Sequence, residues 1–181
     1  MNIQSWGSSV KRLLGELQEI DFGTSLGDNV LPDPQPGEAV QQHVAQLGLQ
    51  DGARLVEFYS YCDGLSWPDV HVGYFISPIA RLVETQAGDP TEVVGGSNAG
   101  PVQLLGSDGG GRMFVMRKEE QDVLVLPPGE VVDGKYDDSA GRSIWVAIDL
   151  KTFLLLLQDD LKAFVLDTPD HTFLGSDGSP S

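Results

Sequence analysis

The chain is short of positive charge. Its 181 residues hold 11 Lys and Arg against 27 Asp and Glu, a net charge of −16. Such a surface repels phosphate backbones and anionic lipid, which argues against direct binding to nucleic acid or membrane. Cysteine occurs once. That excludes an internal disulfide and a cysteine-based zinc cage, and it points to a reducing cytoplasm. Histidine occurs three times, at His43, His71 and His171, with no HxH or HxxxH spacing to suggest a metal site. Long apolar runs are missing too: the densest, Phe153 to Leu157, is far short of the ~20 residues a membrane span needs. The opening MNIQSWGSSVKRLL has no long apolar stretch and no cleavage-like end, so it reads as lacking a signal peptide. Neither a GxSxG nucleophile motif nor a DxDxDG calcium loop occurs.

What the chain does have is enough apolar content to fold. Hydrophobic residues make up 40% and charged residues 21%, too apolar a mixture for disorder, and the length suits one domain of roughly 100–200 residues. Val10, Leu13, Leu14, Leu17 and Ile20 recur at helical spacing and predict a helix from Val10 to Ile20, capped by Ser8 or Ser9. The Gly/Asp/Pro-rich stretch from Asp21 to Gly37 reads as a loop, which sets off residues 1–37 as an N-terminal extension. A second helix is predicted from Glu38 to Leu47, with Gly48 just beyond its end. A third begins near Asp51 and stops at Asp63-Gly64. Alternation predicts a strand from Val70 to Ile76, and Ser77-Pro78 predicts a short helix to Thr85.

Residues 87–100 read as irregular. Three strands follow, Val102–Leu105, Met113–Met116 and Asp122–Leu126, joined by short polar turns that indicate an antiparallel meander. A polar loop over about 133–143, a short strand at Ile144–Ile148 and a helix from Leu150 to Lys162 capped by Asp149 complete the domain. Contiguous strands favour α+β over a parallel α/β sheet. The domain then spans 38–163, followed by a polar tail, 164–181, with little reason to be ordered.

Residues that could carry chemistry have plain readings beside them. Ser107 to Gly111 is glycine-rich, but Arg112-Met113-Phe114 continue as a strand rather than as the Lys-Ser/Thr of a phosphate loop, so a tight turn is favoured. Cys62 lies on an apolar helical face beside Asp63, which disfavours a thiolate and suits a small core residue. The carboxylate pairs Asp137-Asp138 and Asp159-Asp160 are sequence neighbours and read as solvated faces. Charge is uneven: residues 119–181 hold 13 acids and 4 bases. An acidic face can steer a basic protein partner, or it can simply maintain solubility.

Four segments together resemble the SUKH superfamily of the Smi/Knr type. They are LVEFYSYCDG at 55–64, GYFISPIARLVE at 73–84, LGSDGGG at 105–111 and IDLKTFLLLL at 148–157, so that the likeness covers roughly residues 38–162. The resemblance implies an α+β fold whose mixed or antiparallel sheet is packed by helices, with no catalytic residue, metal or cofactor. It also implies a bacterial immunity protein that neutralises a cognate toxin, or a regulatory scaffold without a toxin partner. Joined to the acidic charge, it suggests a basic toxin domain, such as a nuclease, whose active site is occluded. Asp63, Trp67, Asp69 and Asp108 are the candidate partner-binding residues, since exposed loop aromatics and carboxylates are common anchors. Trp67 equally suits a plug at the edge of the core. Charge reversal at the three aspartates is expected to weaken binding and leave stability nearly unchanged.

Overall fold

The computed structural model describes residues 2–174. Three helices come first, α1 (Ile3–Gln18), α2 (Gly37–Gln46) and α3 (Ala53–Tyr59). A hairpin of β1 (Leu65–Trp67) and β2 (Tyr74–Ile76) leads into the short α4 (Ile79–Val83). Then come β3 (Glu92–Val94), β4 (Gly100–Asp108), β5 (Met113–Arg117), β6 (Val123–Leu126), β7 (Val131–Val132), β8 (Lys135–Asp137) and β9 (Ile144–Ala147). Helix α5 (Leu150–Val165) closes the fold. The architecture is α+β with a mixed, mostly antiparallel open sheet. No helix among the described residues is long and apolar enough to cross a membrane.

β4 organises the sheet. On one side it pairs antiparallel with β5, and β5 with β6, the expected three-strand meander; β9, read only as a further short strand, adds antiparallel to β6. On its other side it pairs with β3 near its start and with β2 near its end. Alternation then sorts the side chains. Phe114, Met116, Val123 and Val125 face the helices, whereas Val115, Leu124 and Leu126 enter a smaller second core with Val93, Val102 and Tyr136. With both faces covered, all four residues of β6 are buried.

The second core corrects two expectations. The stretches read as irregular (87–100) and as a polar loop (133–143) contain β3 and β8, which pair in parallel, Val93 opposite Tyr136. Strands this short carry one buried side chain each and leave no periodic signal; the Tyr136 hydroxyl fixes this pair by donating to Pro127 O at 3.0 Å. The predicted strand Val70–Ile76 is also shorter. Residues 68–73 are the turn between β1 and β2, with left-handed backbone at His71 (φ +54°) and Gly73 (φ +88°). Gly106 within β4 and Gly109 in the loop after it show why this stretch is glycine-rich: a Cβ at Gly106 would collide with the Phe75 carbonyl and one at Gly109 with that of Val72. The loop is built for close backbone approach.

Both chain ends join the helix-side core. The start of α1 is Ile3 rather than Val10, because Asn2 is the cap: its Oδ1 accepts from the Gln4 and Ser5 N–H groups at 2.9 and 3.3 Å. Trp6, Val10, Leu13, Leu14 and Leu17 are buried in one cluster with Phe153, Leu154, Leu157 and Leu161 of α5, and Trp6 Nε1 donates to Leu154 O at 3.0 Å. The expectation of a tail without order from 164 onward is corrected for 164–174. Helix α5 runs on to Val165, and Leu174 packs on the core. The remainder of the tail, 175–181, lies outside the described residues.

Candidate functional site

The four residues singled out in the sequence take internal positions. Asp63 is buried, and its Oδ1 accepts from Ile79 N–H at 2.8 Å while its Oδ2 accepts from Gln35 Nε2 at 2.8 Å. It thereby satisfies the first N–H group of α4 from outside the helix. Trp67 is fully buried in the helix-side core, the edge-plug alternative rather than an exposed anchor. Asp108 is buried as well. Its Oδ1 accepts from the Gly110 and Arg112 N–H groups at 2.9 Å each, and Arg112 Nε lies 2.9 Å from its Oδ2. Asp69 is half-buried and accepts from Gly27 N–H at 2.7 Å and Asn29 Nδ2 at 2.6 Å, tying the loop after α1 to the β1–β2 turn. The structure does not bring the four together on one exposed face, because three are buried and each carboxylate is engaged within the fold.

Other candidates close in the same way. Burial, then Asp63, pushes the Cys62 thiol up to about 12, which makes it inert at neutral pH. Among the described residues, no group of three or more His, Cys, Asp and Glu side chains could hold a metal ion.

A constellation invisible to sequence spacing forms at the C-terminal end of α5. Asp160 lies on the same helical stripe as Phe153 and Leu157 and is only 3% exposed. Its Oδ2 accepts from the Tyr74 hydroxyl at 2.6 Å and from Leu174 N–H at 2.8 Å, and its Oδ1 lies 2.7 Å from His171 Nε2. One carboxylate therefore joins β2, α5 and the segment after α5. Burial first, and Asp160 second, push the Tyr74 hydroxyl far above its ordinary pKa, so it stays a donor. Phe173 is clamped between two imidazoles. It stacks on His71 at 4.3 Å and meets His171 edge-on at 4.7 Å. The pKa of His71 is lowered, chiefly by burial. The one sequence signal was Asp160 itself, a carboxylate within an apolar stripe; the solvated reading of Asp159-Asp160 holds for Asp159 alone.

Beside this clamp lies an open groove of about 580 Å³. Ile20, Phe22, His71, Phe164, Val165 and Phe173 line it. Phe22 stacks on Phe164 at 6.0 Å, and Phe164 meets Phe173 edge-on at 6.4 Å. Phe22 remains 42% exposed. Asp167 also lines the groove, and no Lys or Arg does.

Charge outside the groove is one-sided. Arg12, Arg54, Arg81, Arg112, Arg117 and Lys135 pair with carboxylates of the same chain. More than half of the 11 cationic side chains are thus neutralised internally, and exposed carboxylates dominate what remains. No protein-family model matches the chain, and no curated protein matches it in sequence.

Proposed function

We propose that this chain is a non-enzymatic binding protein, an immunity protein of the SUKH type that neutralises a basic toxin domain in the cytoplasm by covering its active site. The observation that carries the reading is the electrostatic one. Six of the 11 cationic side chains pair with carboxylates of the same chain, three of them in exposed pairs, and the net charge of −16 leaves a carboxylate-rich surface. Such a surface competes with phosphate for a positively charged site and accelerates encounter with it. The resemblance of residues 38–162 to the SUKH type supplies the toxin–immunity context.

The test is co-expression. Any neighbouring gene that encodes a compact basic domain is expressed with and without this chain. Growth restored by this chain supports the reading. Unrelieved toxicity, or neighbouring genes that encode no such domain, would favour the regulatory scaffold and overturn it.

A further inference from the structure

We infer that the groove between the loop after α1, the end of α5 and the clamped segment at 171–174 receives a basic amphipathic segment of a protein partner, its apolar side chains against Phe22 and Phe164 and its cations toward Asp167. The inference rests on the binding-protein reading and deepens it by naming the surface and the chemistry of what it holds.

Three observations converge there. The groove is apolar and aromatic yet open, and Phe22, which lines it, is among the more exposed large hydrophobic residues of the chain. Part of its lining is also tied into the fold. Phe173 is held between His71 and His171, and both His171 and Leu174 are tied to the buried Asp160. A surface ordered before binding loses less entropy on binding. Finally its polarity is set: Asp167 lines it with left-handed backbone (φ +48°), and no Lys or Arg lines it. His71 adds little positive charge at neutral pH because its pKa is lowered.

An apolar trough lined by the Asp167 carboxylate, on a chain of net charge −16, matches a helix or strand that alternates apolar and cationic residues. Residues 175–181, GSDGSPS, offer neither large apolar side chains nor cations, so the sequence of this chain's own end does not match. A second copy would bring Asp167 against like charge.

The experiment titrates the isotopically labelled full chain with a synthetic amphipathic Leu/Lys helix of about 14 residues, and with its Leu/Glu counterpart. The expected result is saturable amide shifts at Ile20, Phe22, Val165 and Thr168 with the Lys peptide and none with the Glu peptide. Phe22→Ser and Asp167→Asn should each weaken binding about tenfold or more. Both variants spare the fold, since Phe22 is partly exposed and asparagine tolerates the left-handed backbone at 167. The inference is overturned by equal binding of the Glu peptide, by shifts centred elsewhere, by variants with unchanged affinity, or by groove resonances that move on dilution of the protein alone.

The same variants in the co-expression assay separate the two claims. If the wild type and both variants protect equally, the groove is not the docking surface and the immunity reading stands. If the Lys peptide binds as described and no neighbouring toxin is neutralised, the groove stands and the immunity reading fails.

Discussion

Buried aspartates fix much of the local geometry. Asp63, Asp108, Asp122, Asp138 and Asp160 are all at most 7% exposed, and each meets backbone N–H groups or polar side chains of its own chain. A buried acceptor that satisfies several donors is expensive to remove, because each donor is left unpaired. Asp160→Ala strands the Tyr74 hydroxyl, His171 and Leu174 N–H together and should cost about 3 kcal/mol. Tyr74→Phe removes only one bond and should cost about 1 kcal/mol. Urea midpoints of the two variants check both figures. Asp63→Lys puts an unpaired cation beside the start of α4, so it should lower stability by about 3 kcal/mol, against the near-zero change of a surface charge reversal. A midpoint equal to wild type would return Asp63 to the list of binding residues.

His71 gives the residue scale its pH dependence. Its pKa in the folded state is lowered, so folding favours the neutral ring. The stability it contributes is complete above the ordinary value of 6.5 and is lost as pH falls through the lower folded-state value. His71→Asn keeps a residue that tolerates the left-handed backbone and removes this titration. Its urea stability should therefore fall less than that of wild type as pH drops below the ordinary histidine value.

Elements differ in how far tertiary contacts define them. Helix α1 supplies five large apolar side chains, Trp6, Val10, Leu13, Leu14 and Leu17, to the same cluster as α5. A chain lacking residues 1–20 should therefore lose its cooperative urea transition rather than fold as an independent 38–163 domain. Helices α2 and α5 were legible in the sequence because apolar periodicity, Gly48 and the Asp149 cap mark them locally. The meander β4–β5–β6 was legible because short polar turns separate its apolar runs, whereas the pairing of β9 with β6 was not. Nor was the pairing of β3 with β8, since each depends on one buried residue and on the other strand. The candidate site was the least legible part. Asp63 and Asp108 look like loop carboxylates until Ile79 and Arg112 are placed beside them, and the clamp needs residues 71, 74, 160 and 173 at once.

At the scale of the whole molecule, net charge is the property with the longest reach. A surface charge of this size acts over about 10 Å at 0.1 M salt and is screened beyond that. Encounter with a basic partner should therefore slow about tenfold or more as salt rises from ~0.02 M to ~0.3 M, while the apolar contacts in the groove hold the dissociation rate nearly constant. Surface immobilisation of the partner and stopped-flow mixing both read this split.

The central claim is that this chain binds a basic toxin domain and covers its active site. A calorimetric titration of the purified chain with a compact basic domain found to be encoded by a neighbouring gene, at low and physiological salt, is the decisive measurement. The account predicts a saturable one-to-one complex whose affinity falls as salt rises. No measurable heat, or an affinity indifferent to salt, would contradict it.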